Sequence, residues 1–221
     1  MIKTVIFDMD GVLIDSEPIH LETQHQLFEL YGVQLLPGEY EAFIGRSSKN
    51  MWQELIERFS LPVTVEEVLD KDRSLYHARL HQETGLLPIE GVRDLIEDLD
   101  ANQMKLAIAS SSSMESIELV LDLLRLSEFF THRVSGADLQ YSKPHPEIFQ
   151  VTAEITNTRN QHCLVIEDSN HGVSAAKRAE MTCIGFQNPN SGNQDLSGAD
   201  LIVQDFLSLN YERIVAISQK E

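Results

Sequence analysis

In the stretch "VIFDMDGVLIDS", Val5 to Ser16, two carboxylates stand two residues apart, Asp8 and Asp10, directly behind a short apolar run and ahead of Gly11. Other apolar runs end in side chains of equal interest: "KLAIAS" in Ser110, and "HCLVIED" in Glu167 and Asp168, while "YSKPHPEIF" supplies Lys143 from a loop before a helix. In open α/β sheets ligands bind outside the carboxyl ends of the strands, so residues at those ends are candidates for one shared site. Carboxylates gathered in a cleft repel one another unless a cation holds them. Such a cluster predicts Mg²⁺ bound by oxygens, with waters and a substrate phosphate completing its shell. The Lys143 ammonium and the Ser110 hydroxyl suit the charge and lone pairs of that phosphate.

The elements that must position these residues follow from the hydrophobic pattern. Residues 4–7, 105–110, 162–168, 183–186 and 200–203 are short, mostly apolar runs that read as buried parallel strands. Between them, Val92 to Asn102, Met114 to Leu124, Pro146 to Thr156 and Gly172 to Ala179 place apolar residues at helical spacing. The expected fold is α/β, a doubly wound parallel-sheet, Rossmann-like core. Residues 17 to about 84 break the alternation, repeating helical periodicity without a convincing strand. They read as an inserted α-helical cap domain over 16–87, with the catalytic core formed by 1–15 and 88–221. Gly85, Pro88 and Gly91 end helical continuation at the exit, so both connections sit near the Asp8/Asp10 turn, where a lid needs its hinges.

Composition narrows the partners. The chain has 221 residues, 42% of them hydrophobic, and a formal net charge of −18 with no basic segment to offset it. Such a surface repels nucleic acid and anionic membranes, yet one site inside it can still be locally positive or metal-neutralised. No apolar run approaches the roughly 18 residues of a membrane span, and the N-terminus enters a strand-like run at once. The expectation is a cytoplasmic, monomeric protein acting on a small phosphorylated metabolite. Cys163 and Cys183 lie inside apolar runs and read as buried thiols, not a disulfide framework.

These motifs, "DMDGV" at 8–12, Ser110 after "LAIA", Lys143 in "SKPHPEIF" and "EDSNHGVSAA" at 167–176, resemble the haloacid dehalogenase superfamily. The similarity is to its phosphatase and β-phosphoglucomutase-like branch with a helical cap, and it covers nearly the whole chain. It implies that Asp8 is the nucleophile taking the phosphoryl group and that Asp10 is the general acid, then base. It implies Mg²⁺ held by the Asp8 carboxylate, the Asp10 carbonyl and Asp168, with Glu167 as ligand or support, and Lys143 and Ser110 on the transferring oxygens. Taken singly, Asp8 and Asp10 could be turn formers and Glu167 and Asp168 helix caps; together they match one mechanism. Ser112 and Glu115 have capping-box spacing, so of the serine run only Ser110 is kept as catalytic.

Substrate choice falls to the cap. The resemblance places a substrate-facing histidine at His20, and Gly45 and Arg46 in "FIGRSSK" are the remaining substrate contacts expected. Sugar-phosphate mutases of this family carry a lysine before that glycine, where this chain has Ile44, and a second lysine where it has Asp72. Hydrolysis of a small phosphate monoester is therefore favoured, a sugar phosphate or related metabolite. A β-phosphoglucomutase-like isomerase and a non-catalytic regulator are the alternatives. His77 and His81 share a helix face but lack the glutamate of the zinc-protease pattern. Phe28, Tyr31, Trp52 and Phe59 read as helical core packing.

Overall fold

The computed structural model describes residues 1–43, 47–83 and 86–217. Six strands, β1 (Thr4–Phe7), β2 (Lys105–Ser110), β3 (His132–Ser135), β4 (Cys163–Glu167), β5 (Thr182–Phe186) and β6 (Leu201–Val203), form one parallel sheet in the order β3-β2-β1-β4-β5-β6. Side chains alternate across a strand, so continuous apolar runs bury both faces at once. Val5 and Phe7 of β1, Leu106 and Ile108 of β2 and Leu164 and Ile166 of β4 pack on one face; Ile6, Ala107, Ala109, Cys163 and Val165 pack on the other. The first face is covered by α4 (Val92–Ala101), α5 (Met114–Leu123) and α8 (Tyr211–Ile217), the second by α6 (Glu147–Ile155) and α7 (Asn170–Arg178). This is the doubly wound α/β architecture, and both cysteines are buried and free within it.

Between β1 and α4 the chain is helical: α1 (Glu17–Tyr31), α2 (Ser48–Phe59) and α3 (Val65–Gln82). They build a separate apolar cluster around Leu27, Phe28, Trp52, Leu55 and Val68, with Tyr31 and Phe59 packed against it. The four aromatic residues expected as packing are thus core. Thr64 starts α3 with a reciprocal capping box to Glu67. Ile19, Tyr76 and Leu80 belong instead to the first sheet-face cluster, so α1 and α3 are joined to the α/β part by buried apolar surface. Entry and exit of the helical stretch are tied by the Ile89 amide donating to the Leu13 carbonyl at 2.9 Å.

The observed strands and helices differ from the expected ones at their ends by one or two residues. The exceptions are the short helix α8, which no expected element covers, and β3, an edge strand that hydrophobic pattern does not find. Its four residues "HRVS" carry a histidine and an arginine, and Arg133 uses its guanidinium to bond the Phe130 and Ser127 carbonyls.

Candidate active site

Register brings the site together before any side chain acts. Phe7 pairs with Ile108 on β2 and with Ile166 on β4, so the next residue, Asp8, emerges beside Ala109 and Glu167. Ser110 and Asp168 come one residue further along their own strands. Asp8 extends the ladder by donating its amide to the Ile166 carbonyl at 3.0 Å. The chain then turns sharply at Gly11, with φ of +77°, where a β-carbon would lie 2.0 Å from Asp168 Oδ2. Only glycine permits both that backbone conformation and that approach.

Lys143 is buried and spends its three protons on three acceptors: Asp8 Oδ1 at 2.9 Å, Glu167 Oε1 at 2.6 Å and the Ala109 carbonyl at 3.3 Å. Burial would depress its pKa, but the charges of Asp8 and Glu167 and their hydrogen bonds raise it, so it stays an ammonium. Glu167 is held in turn by the amide and hydroxyl of Ser169, at 3.0 and 2.9 Å on Oε2. Asp168 accepts a short hydrogen bond from the Ser191 hydroxyl.

Burial pushes the Asp8 carboxyl up to about 7, with Lys143 pulling it down and Glu167 and Asp10 pushing further up. Asp168 is raised by burial and by the charges of Glu167 and Asp8. Fully ionised, the three buried carboxylates would stand against one ammonium with two negative charges uncompensated, and burial with that excess pushes Asp8 and Asp168 toward their protonated forms. Ligand atoms of Asp8, Glu167 and Asp168 lie within 4.8 Å of one another. This buried acidic cluster can hold a metal ion, and its charge deficit and all-oxygen donor set fit a hard divalent cation.

Asp10 belongs to a different network. Its Oδ1 accepts from the Ser16 hydroxyl at 2.6 Å, His20 Nε2 at 3.2 Å and the Tyr76 hydroxyl at 3.3 Å. Its Oδ2 accepts from the Ser112 hydroxyl at 2.7 Å and from Ser110 at 3.4 Å. Burial raises the Asp10 pKa, but the bond and charge of His20, with Ser16 and Ser112, overcome it and hold the carboxyl well below the usual range. Burial lowers His20, and the same bond with the charges of Asp10, Glu17 and Asp72 raises it to about 9. The pair therefore shares one proton, resident on the imidazole. His20 also stacks on Tyr76, ring centroids 4.4 Å apart.

One expectation needs correcting. The cap of α5 is Ser113, whose hydroxyl accepts from the Ser116 amide, not Ser112 in a box with Glu115. Ser112 is freed for Asp10 because its own amide is turned inward to donate to Ser110 Oγ at 3.1 Å. Ser112, Tyr76, Ser16 and Ser191 are thus members of the site that sequence reasoning missed. Of these only Ser112 had a signal, its place in the serine run. Gly45 and Arg46 lie outside the described residues. His77 Nε2 and the Ser116 hydroxyl are hydrogen-bonded at 2.9 Å, an ordinary polar contact.

Above Asp8, Asp10 and Lys143 opens a cavity of about 250 Å³. His20, Gln24, Ser48 and Asp72 line its helical side, and Ser110, Ser112 and Asp168 its sheet side.

Comparison with known proteins places this arrangement. The family model for haloacid dehalogenase-like hydrolases matches residues 5–186, and the chain belongs to that family. Within it the chain falls in the phosphatase-like branch and is a phosphoric monoester hydrolase acting on phosphorylated small molecules. It is 33% identical over 184 residues, 80% of this chain and 81% of the relative, to a phosphorylated carbohydrates phosphatase of Thermotoga maritima. It is 25% identical over 214 residues, 97% and 99% of the two chains, to a validoxylamine A 7'-phosphate phosphatase of Streptomyces hygroscopicus subsp. limoneus. Among solved structures, β-phosphoglucomutase from Clostridium difficile superposes with a TM-score of 0.86 at 26% identity, over 100% of this chain and 98% of that one. No helix among the described residues is long and apolar enough to cross a membrane.

Proposed function

We propose that this enzyme hydrolyses a sugar phosphate or related monoester through an aspartyl-phosphate on Asp8, with Mg²⁺ as cofactor and helices α1–α3 as a cap over the site. The observation that carries this reading is the buried contact of Lys143 with Asp8 beside Asp168, while Asp10 is turned to a separate set of donors. Two carboxylates two residues apart in sequence thereby occupy opposite electrostatic situations, and that separation lets them take different roles.

Asp8 Oδ2, the oxygen not bonded to Lys143, attacks phosphorus, and the bond from phosphorus to the ester oxygen breaks. Asp10 draws the imidazolium proton of His20 across the 3.2 Å contact and passes it to the leaving oxygen, which leaves Asp10 a carboxylate and His20 neutral. In the second half, Asp10 takes a proton from water, the water oxygen attacks the Asp8 phosphoryl group, and phosphate leaves with the Asp8 carboxylate restored. Lys143 and the Ser110 hydroxyl hold the equatorial oxygens, where charge accumulates during transfer. Asp8, Asp168, the Asp10 carbonyl and Glu167 would hold the metal. Bound there, Mg²⁺ supplies the positive charge that lets an anionic nucleophile approach an anionic phosphoryl group.

One relative acts on phosphorylated carbohydrates and another on validoxylamine A 7'-phosphate, and the first agrees with a sugar-like leaving group. The likeness to β-phosphoglucomutase favours a second reading, sugar-phosphate isomerisation. Glucose 1-phosphate with a trace of its bisphosphate separates them: hydrolysis releases free phosphate, isomerisation gives glucose 6-phosphate. Phosphate release from a panel of phosphorylated metabolites, with Mg²⁺ and with EDTA, tests the proposal. Asp8→Asn is expected to lose on the order of 1,000-fold or more in rate while keeping its fold. Wild-type rates in that variant end the covalent mechanism.

A further inference from the structure

The helical side of the cavity carries a charged group that phosphoryl transfer does not use. Asp72 of α3 is buried, 7% exposed, and lines the same cavity as Asp8, Asp10 and Lys143. It is held by a chain of buried polar groups. Trp52 Nε1 donates to Gln24 Oε1 at 3.1 Å, and Gln24 Nε2 donates to Asp72 Oδ1 at 2.9 Å. An indole N–H can only donate, so the Gln24 amide has one permitted orientation and must present its NH₂ to Asp72. The direction of the chain is therefore set, with Asp72 as its terminal acceptor. The Ser48 hydroxyl adds a second bond. Four lone-pair sites on the carboxylate, less two protein donors, leave room for donors arriving from the cavity.

We infer that Asp72 is a specificity-determining residue that reads hydroxyl groups on the leaving part of the substrate, selecting polyhydroxylated monophosphates over bisphosphates and phosphorylated carboxylic acids. The inference rests on the phosphatase reading above. A buried carboxylate that meets substrate hydroxyls recovers the hydrogen bonds that burial took from it, whereas a second phosphate or a carboxylate placed there meets like charge at low dielectric. Burial pushes the Asp72 pKa up, opposed by the charge of His20 and the bonds from Gln24 and Ser48. A hydroxyl serves either protonation state, because it both donates and accepts. Of the cations lining the helical side of the cavity, Arg73 is already bonded to Asp70 and faces Glu115 at 3.7 Å, His20 is engaged by Asp10 at 3.2 Å, and Lys49 is solvent-exposed, so none is held against Asp72 to neutralise a second anion.

The test is kcat/KM, with Mg²⁺, of wild type and Asp72→Asn on sorbitol 6-phosphate, fructose 1,6-bisphosphate and p-nitrophenyl phosphate. The expected wild-type preference is sorbitol 6-phosphate over the bisphosphate by about 10-fold or more. Asp72→Asn is expected to lose about 10- to 100-fold on sorbitol 6-phosphate, the scale of a charge-assisted hydrogen bond, and to stay within about threefold on the aryl phosphate. Should that variant be insoluble, Asp72→Ser is read the same way. Equal losses on sorbitol and aryl phosphates, or an unchanged preference, overturn the inference and leave the phosphatase standing. A wild type inactive on all three overturns both.

Discussion

Five hydroxyl and imidazole donors converge on one small carboxylate, Asp10, and four of the five come from residues far from it in the chain or from the helical stretch. That crowding is what keeps Asp10 ionised in a buried site while Asp8, nearby, is pushed toward neutrality. Ser112 is the donor to Oδ2 with the shorter contact, so Ser112→Ala removes a charge-assisted bond worth about 1.5–3 kcal/mol. The expected result is a fall in kcat of about 10-fold or more with KM little changed, read in steady-state phosphate release. Ser113→Ala is the control, since it should lose about 1 kcal/mol of stability as a helix cap and keep its rate. Equal rates in the two variants would remove Ser112 from the acid-base network. The sequence reads Asp8, Ser110, Lys143 and Asp168 because each follows an apolar run or a loop signal of its own. It does not read Tyr76 or Ser191, because a lone tyrosine on a helix and a serine in a loop gain meaning only when the fold carries them to a carboxylate.

At the level of elements, the start of α7 shows how close packing supports chemistry. Glu167 ends β4, Ser169 caps α7 while bonding the Glu167 carboxylate, and Gly172 lies directly against that carboxylate. A β-carbon at residue 172 would fall 1.8 Å from Glu167 Oε1, the oxygen that holds Lys143. Within an ordinary helix, glycine to alanine is stabilising by about 1 kcal/mol. Here Gly172→Ala has the opposite sign: an expected loss of about 2–3 kcal/mol in urea denaturation, as for overpacked sites, with phosphatase activity falling because Lys143 loses its brace. Stabilisation with full activity would show that Glu167 relaxes freely. Strands β1, β2 and β4 are legible because they are buried on both faces and so read as unbroken apolar runs. The edge strand β3 has fewer partners to satisfy, tolerates His132 and Arg133, and leaves no such trace.

For the molecule as a whole, the doubly wound order follows from alternating strands and helices, and the helical stretch from the absence of any strand signal over some 65 residues between β1 and α4. What the pattern could not convey is that α1 and α3 reach into the sheet's own core through Ile19, Tyr76 and Leu80, making the proposed cap and the catalytic floor share buried surface. The same chain has a formal charge of −18, and three of its carboxyl groups are buried together where Asp8, Glu167 and Asp168 meet. A divalent ion bound there relieves repulsion present only in the folded state, so it must stabilise folding by mass action. At a Mg²⁺ concentration about 100 times its dissociation constant the gain is about 2.7 kcal/mol, which for a domain of this size raises Tm by about 5–10 °C. Asp168→Asn removes a proposed ligand and part of the repulsion together. Its metal-free form should therefore melt at or above the wild-type temperature, and its response to Mg²⁺ should shrink to a small fraction of the wild-type shift. Differential scanning calorimetry with EDTA and with Mg²⁺ reads both numbers, and an equal Mg²⁺ shift in wild type and Asp168→Asn would place the ion elsewhere.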